Sequence, residues 1–309
     1  MLSFAPETAF LVASVSVQGF NPRFTGCSMA RIERISRIIP EIRMKALPCY
    51  GMLLVGAALV FSGCQGAPHD RVPVPKRIVD LSPPLSANTL ELQLGQRVVE
   101  FLGLPSRLRF RPVVPPTPDH SFGLVVYELP SHTGAHVDAP GRLLKHGERV
   151  DQIGLEKLVG PARVLDLRWK GQRSQIEATD LENYQIDSGD VVILFVGYTP
   201  PSTNSDWPKY PTISRESALW LANRKVRAVA TDAPSLGDFQ RYAELLSQNR
   251  PPEEVWAERI PLFRAGIPVV EGLVNVEQLL GEDRVQLIAL PPPVADRSGS
   301  PARVVAMIY

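Results

Sequence analysis

Residues 131–140 run Ser-His-Thr-Gly-Ala-His-Val-Asp-Ala-Pro, a segment in which two histidines and a carboxylate are separated by even numbers of residues. Alternate side chains of an extended chain point to the same face, so we expect His132, His136 and Asp138 to share one face. Two imidazoles and one carboxylate suit a divalent metal ion such as zinc or manganese. Spacing alone also allows the histidines to be ordinary surface or core residues, so the prediction needs support from the rest of the chain.

Two further residues of this segment carry local expectations. Gly134 is expected to let the backbone pass close to the site, because glycine has no Cβ. Pro140 is expected to end the strand, because proline cannot donate to a sheet ladder. Together they predict a metal site on a strand or at its end.

The segment resembles the pattern His-x-Gly-Thr-His-x-Asp-x-Pro-x-His of the cyclase-like metallohydrolases, the family of bacterial kynurenine formamidase and isatin hydrolase. The resemblance extends over about residues 77–309. Further matching segments follow in family order: Asp80-Leu81-Ser82, then residues 150–153, 159–164, 189–194, 214–222, 232–235 and 265–273.

The resemblance implies a fold, an activity and a set of metal ligands. It implies a single mixed α and β domain with cyclase-type β/β/α layers, often assembled as a homodimer or larger homo-oligomer. His132, His136 and Asp138 match the family's metal ligands, and Glu271 matches a glutamate that joins the metal centre in two-metal members. The implied enzyme is an arylformamidase-like amidohydrolase that acts on a small molecule of the N-formylkynurenine type. It would use zinc or manganese to cleave an amide, a formamide or a cyclic acyl bond. Because two of the family's histidines are absent here, we expect one ion per chain.

Three positions depart from the family pattern. Ala135 replaces a threonine, and Arg142 and Arg259 replace two histidines. Arginine stays protonated, so it serves neither as an ordinary general base nor as a metal ligand. We expect Arg142 to act in catalysis by orienting the substrate or an oxyanion, and Arg259 to bind a substrate carboxylate. Ordinary ion pairs are the alternative for both arginines.

These replacements leave other functions open. One alternative is a non-catalytic ligand-binding protein on the same fold. Another is a dehydratase or isomerase that uses the metal as a Lewis acid. Trp207 is a candidate for lining an aromatic substrate pocket, although burial in a helix or loop contact explains a tryptophan there almost as well.

The N-terminal part resembles an export signal. A basic residue, Lys45, precedes the short apolar run 52–61, and Phe61-Ser62-Gly63-Cys64 resembles a lipoprotein box. We therefore expect translation from Met44, which makes residues 1–43 a non-native extension and residues 44–64 a signal peptide. Lipidation of Cys64 would anchor the protein to the periplasmic face of a membrane in the cell envelope, with residues 65–76 as a tether.

Composition limits the remaining possibilities. The formal net charge is +1, and no basic block or aromatic-basic stripe suggests a nucleic-acid partner. The three cysteines are Cys27, Cys49 and Cys64, so residues 65–309 contain no thiol nucleophile.

The proline-rich segment 104–119 is expected to be a loop. Helices are predicted over residues 215–223, with Ser214 as N-cap, and over 238–247 and 276–280. Strands are predicted over residues 77–81, 122–129, 164–167, 191–196, 226–230, 269–270, 285–289 and 304–308.

Overall fold

The computed structural model describes residues 73–119, 121–200 and 206–309. The predicted extension 1–43, the signal peptide 44–64 with Cys64 and residues 65–72 of the tether lie outside the described residues and stay predictions. Within the described ranges, none of the helices combines the length and apolar character needed to cross a bilayer.

Strands outnumber helices in the described residues, as the sequence predicted. The strands are β1 (Arg77–Asp80), β2 (Arg109–Val114), β3 (Leu124–Glu128), β4 (His136–Asp138), β5 (Val159–Asp166), β6 (Gln175–Ile176), β7 (Val191–Phe195), β8 (Thr212–Ile213), β9 (Ala228–Thr231), β10 (Val269–Glu271), β11 (Val285–Leu290), β12 (Gly299–Pro301) and β13 (Arg303–Ile308). The α-helices are α1 (Thr89–Leu94), α2 (Gln96–Phe101), α3 (Ala178–Leu181), α4 (Arg215–Asn223), α5 (Phe239–Ser247), α6 (Pro252–Val255) and α7 (Ile260–Arg264). Short 3-10 helices cover Pro140–Arg142, Leu155–Lys157 and Val276–Leu279.

Nine of these strands form one mixed sheet in the order β1-β13-β11-β5-β7-β9-β10-β4-β12. Strands β5, β7, β9 and β10 pair in parallel, and the remaining pairs of this sheet are antiparallel. Strands β2 and β3 form a separate antiparallel pair, so the predicted loop 104–119 is wrong in part: it contains β2. The backbone pairing of residues 109–114 with β3 outweighs the local proline content.

The central strand β7 separates two apolar cores. Val191 and Ile193 belong to one core, whereas Val192 and Leu194 belong to the other. This alternation follows from the two-residue period of a strand, and it means that β7 is buried on both faces.

The first core also contains Val79 of β1 and Val137 of β4, two strands from distant positions in the strand order. The sheet must therefore curl around this core, which places one half of the sheet over the other. The second core contains Leu221 of α4 and Leu262 of α7, so helices cover the outer face. This arrangement confirms the predicted mixed α and β fold with β/β/α layers.

Helix α4 illustrates why these residues form these elements. It spans Arg215–Asn223 as predicted, and the Ser214 side chain accepts a hydrogen bond from the Ser217 backbone N–H. That contact satisfies one of the free N–H groups at the helix start.

Candidate metal centre

Strand β4 carries two of the three predicted metal ligands and lies between β10 and β12. In the antiparallel pair of β4 and β10, His136 lies directly opposite Glu271. Directly opposed residues of such a pair place their side chains on the same face. The register of two strands far apart in the sequence therefore brings Glu271 beside His136, with 3.5 Å between Glu271 Oε2 and His136 Nε2.

Asp138 is completely buried, with no solvent exposure. Its Oδ1 lies 2.6 Å from His132 Nδ1 and accepts a hydrogen bond of 2.8 Å from Arg142 Nη1. Its Oδ2 accepts a hydrogen bond of 2.6 Å from Arg259 Nη1. Five side chains thus lie around the Asp138 carboxylate, and we name the six residues together the Asp138 centre: His132, His136, Asp138, Arg142, Arg259 and Glu271.

The tautomer of His136 follows from its neighbour. Its Nδ1 lies 2.9 Å from the carbonyl oxygen of Gly134, which only accepts hydrogen bonds, so Nδ1 carries the proton. In the neutral ring this leaves the Nε2 lone pair directed towards Asp138 Oδ1, 3.6 Å away, and Glu271. A histidine held in this way presents one defined nitrogen to a metal ion.

His132 reaches the centre by a different route from the one predicted. Strand β4 begins only at His136, so the three ligands do not share one continuous extended strand. The backbone bends at Gly134, where φ is +65°, and this bend returns the His132 ring to Asp138. Pro140 does not end the strand directly; β4 ends at Asp138, and Pro140 opens the 3-10 helix that carries Arg142.

Arg142 lies at the edge of the centre. One of its guanidinium nitrogens, Nη1, is within hydrogen-bond distance of both His132 Nδ1 and Asp138 Oδ1. Its side chain is 29% exposed, so it has access to solvent. The predicted catalytic residue therefore adjoins two of the predicted metal ligands.

Arg259 is the residue immediately before α7, and its side chain is buried in the centre, with only 3% exposed. Besides Asp138, its guanidinium donates to Glu271 Oε1 at 2.7 Å and to Ser235 Oγ at 2.6 Å. Burial and these three hydrogen bonds favour a role within the protein, and the predicted contact with a substrate carboxylate stays a prediction.

Burial and charge act in opposite directions on the two acids. Burial raises the pKa of Asp138, but Arg142, His132 and Arg259 more than offset it, so this pKa lies well below its usual range. Burial likewise raises the pKa of Glu271, and Arg259 with His136 brings it below the ordinary value. Both groups are therefore carboxylates at neutral pH.

The two histidines differ from each other. Burial lowers the pKa of His132, and the opposing charge of Asp138 does not restore it. Burial also lowers the pKa of His136, but Glu271, Asp138 and the Gly134 carbonyl outweigh burial and raise it. His132 is consequently the more readily available neutral ligand of the pair.

Trp207, predicted to line a substrate pocket, packs against α2. Its ring lies edge-on to Phe101 with centroids 5.6 Å apart, and the guanidinium carbon of Arg97 lies 5.3 Å from the ring centroid. Its role in substrate binding stays a prediction.

Sequence reasoning missed several residues that support the centre. Gln93 holds Gly134 from both sides, accepting from its N–H at 3.0 Å and donating to its carbonyl at 3.1 Å. Glu258, beside Arg259, is buried and accepts a hydrogen bond from the Tyr242 hydroxyl. A charged pair, Glu258-Arg259, inside the apolar segment 255–263 was the available signal for a buried ionic site.

The ligand atoms of His132, His136 and Asp138 all lie within 4.8 Å of one another. Two imidazoles and one carboxylate are a known zinc ligand set, with room for further ligands at an open position. His132 Nδ1 and Asp138 Oδ1 lie 2.6 Å apart, and each is a possible metal ligand once no proton lies between them. These residues therefore fit a divalent ion, which His132, His136 and Asp138 would hold.

Comparison with known proteins identifies the class. The family model described as "Putative cyclase" matches residues 79–238. Kynurenine formamidase from Salinibacter ruber (strain DSM 13855 / M31) is 31% identical over 189 residues, which cover 60% of this chain and 81% of that protein. The chain belongs to the cyclase family, and the predicted resemblance is confirmed.

Two solved structures share the fold. Isatin hydrolase A from Labrenzia aggregata, bound to benzyl benzoate, aligns with a TM-score of 0.62 and 22% identity, covering 75% of this chain and 93% of that one. A structure described as a potential metal-dependent hydrolase with cyclase activity aligns with a TM-score of 0.55 and 21% identity, covering 74% and 96%.

The bend at Gly134 gives a prediction for stability. We expect Gly134→Ala to lower the free energy of unfolding by about 1–2 kcal/mol for the left-handed backbone and by a further ~0.5–1.5 kcal/mol for displacing a neighbouring side chain from its rotamer. An added Cβ would lie 2.7 Å from Cδ2 of the partly exposed Leu85, which would have to turn aside. Gly103→Ala is the matched control, since its φ is +62° and no described heavy atom lies within 4 Å of an added Cβ. Equal losses in urea unfolding of the two variants would contradict the steric contribution.

The lowered pKa of Asp138 gives a second prediction, for metal-free protein. Because the pKa of Asp138 is lower in the folded than in the unfolded protein, its carboxylate stabilises the folded state at pH values above the unfolded pKa, near 3.8. This stabilisation is lost as the pH falls towards the folded pKa. Asp138→Asn should therefore lower the free energy of unfolding by about 3–5 kcal/mol at pH 7. The difference in this free energy between wild type and variant should narrow below about pH 4.

Asp232→Asn is the control for this pH dependence. Burial raises the pKa of Asp232, although its carboxylate accepts hydrogen bonds from the Val196 and Tyr198 N–H groups. Because the pKa of Asp232 is raised in the folded protein, the wild type gains free energy of unfolding as the pH falls. The stability of wild type relative to Asp232→Asn should therefore rise in acid. Urea unfolding of the three proteins from pH 7 to 3 measures both trends; parallel curves for the two variants would refute the assignment.

Proposed function

We propose that the protein is a metal-dependent hydrolase of the arylformamidase type, with one zinc or manganese ion per chain. It would cleave an amide, a formamide or a cyclic acyl bond in a small molecule. The observation that carries this proposal is the convergence of His132, His136 and Asp138 beside the buried carboxylate of Glu271. The names of its relatives, kynurenine formamidase and isatin hydrolase, support the same bond classes.

A divalent ion held by His132, His136 and Asp138 would polarise the substrate carbonyl and make water a stronger nucleophile near neutral pH. Arg142 would leave its position between His132 and Asp138 when the ion binds, which its exposure permits. Its guanidinium would then face solvent beside the ion, where it would orient the substrate or stabilise an oxyanion. This assigns the catalytic role of Arg142 to binding and charge, because arginine does not act as an ordinary general base.

Glu271 is our candidate for accepting a proton. Its Oε1 accepts hydrogen bonds from Arg259 and from the Leu236 N–H, whereas its Oε2 faces His136 Nε2. One carboxylate oxygen thus holds the group in place, and the other faces the metal ligands. A carboxylate with a low pKa is a weak base, so proton transfer would depend on its proximity to the reacting water.

A non-catalytic ligand-binding protein is the second candidate, and one observation favours it. Both oxygens of Asp138 already accept hydrogen bonds from guanidinium groups, and these charges balance the buried carboxylate without a metal ion. In that case Arg142 would remain between His132 and Asp138. Tight ligand binding without turnover would support this second function.

The test of the hydrolase proposal compares wild type with His136→Ala and with His146→Ala, an exposed histidine that serves as the matched control. Metal content is measured by elemental mass spectrometry, and hydrolysis is assayed with N-formylkynurenine and isatin. We expect about one metal ion per wild-type chain, and loss of the ion with more than about 100-fold slower hydrolysis in His136→Ala, since even outer partners of a metal ligand cost 10–100-fold.

His146→Ala should retain both the metal ion and the activity. Full hydrolysis by His136→Ala would refute the proposal. Ligand binding without turnover or metal, even after incubation with zinc and manganese, would favour the binding protein.

We also propose that the protein is exported and lipid-anchored at Cys64, as a homodimer or larger assembly. The sequence pattern before Cys64 supports the anchor, and the family resemblance supports the assembly. In a bacterial host, mass spectrometry of the mature N-terminus should find a lipid-modified Cys64, and Cys64→Ser should release the protein from the membrane fraction. Peptides from residues 1–43 in the mature protein would contradict this prediction.

A further inference from the structure

The buried guanidinium of Arg259 is surrounded by oxygen atoms. Asp138 Oδ2, Ser235 Oγ and Glu271 Oε1 lie 2.6, 2.6 and 2.7 Å from its two terminal nitrogens. Two carboxylates and a hydroxyl that converge in this way also make a set of hard oxygen donors of the kind that binds divalent cations. In this protein a covalently attached cation fills the space between them.

Asp138 divides its two oxygens between two positions. Oδ1 faces His132, His136 and Arg142, whereas Oδ2 faces Arg259. A carboxylate with this arrangement is able to bridge two neighbouring cations. The first position is the one that we assign to a metal ion, and the second is occupied by Arg259.

The two arginines differ in how readily they leave Asp138. The side chain of Arg142 is 29% exposed and has solvent on one side, whereas that of Arg259 is 3% exposed. Arg259 is further held by Ser235, whose Oγ accepts from the Gly237 N–H, and by Glu258, whose Oε1 lies 3.7 Å from its Nε. Its departure would leave buried carboxylates without a counter-charge, which is costly in a low-dielectric interior.

We propose that Arg259 is a resident cation that takes the place of a second metal ion. It bridges Asp138 and Glu271, fixes both carboxylates as a positioning residue, and limits the Asp138 centre to one divalent ion. This inference rests on the proposed function, because it assumes that the His132, His136 and Asp138 position binds metal.

The experiment measures metal stoichiometry in the full-length chain under excess zinc or manganese, by elemental mass spectrometry after desalting and by calorimetric titration. Wild type should bind one ion. Arg259→His removes the fixed charge and adds an imidazole between the Asp138 and Glu271 oxygens, so this variant should bind two ions. Arg259→Lys keeps the charge and should remain at one.

Arg264→His is the matched control, because Arg264 is an exposed arginine at the end of the same helix, α7. It should remain at one ion, which separates a specific site from an added surface histidine. If Arg259 had only a structural role, Arg259→His would lower the stability of the protein without raising the number of metal ions bound.

The outcomes distinguish this inference from the proposed function. One ion in a folded Arg259→His variant would overturn the resident cation and leave the hydrolase proposal standing. Two ions in wild type would overturn the resident cation and the one-ion stoichiometry of the proposed function, but not the hydrolase activity. No ion in wild type would overturn the proposed function itself, and the inference with it. If Arg259→His does not fold, two ions in wild type would still exclude the resident cation, and a second ion in Arg259→Lys would do the same.

Discussion

The charge balance around Asp138 is the constraint on which the rest of the centre depends. A carboxylate without solvent contact is stable only when cations and donors replace its water, because the interior screens charge poorly. Arg142 and His132 contact Asp138 at Oδ1, and Arg259 contacts it at Oδ2. These partners come from the loop before β4, the 3-10 helix after it and the residue before α7, so one side chain ties together segments that are distant in the sequence.

The sheet supplies the geometry that this charge balance needs. Antiparallel pairing of β4 with β10 places Glu271 opposite His136, while parallel pairing of β10 with β9 sets Glu271 near the loop that carries Ser235. Side chains just beyond the carboxyl ends of neighbouring parallel strands meet at one edge of a sheet, a common place for ligand sites. Helix α7 packs on this face through Leu262 and Phe263, and the same packing delivers Arg259.

The sequence predicted the elements with strong local patterns. Continuous apolar residues predicted β7, and a serine N-cap with a helical period predicted α4, because burial and capping act over neighbouring residues. It also predicted that His132, His136 and Asp138 come together, although the stated reason was incomplete: a left-handed Gly134, and not an extended strand, brings His132 to the site.

The role of Arg259 could not be predicted in the same way. Its environment depends on the register of β4 with β10, on the loop after β9 and on the position of α7, all of which are tertiary. A local pattern identifies an arginine in place of a histidine, but only the fold places its guanidinium between Asp138 and Glu271 rather than in a cleft. The support that Gln93 gives to Gly134 is hidden for the same reason, since 41 residues separate the two.

The contrast between the two arginines carries the functional argument one step further. Both carry the same charge and contact the same carboxylate, so chemistry alone does not separate them. Their exposure separates them. A guanidinium beside solvent replaces its protein acceptors with water at a small free-energy cost, whereas a buried guanidinium has no water to replace them. Under the proposed function, Arg142 is therefore the arginine that would move and meet a substrate, while Arg259 would remain part of the fold. In a centre built on one buried carboxylate, the exposure of each cation to solvent would then decide whether it acts in the chemistry or in holding the ligands.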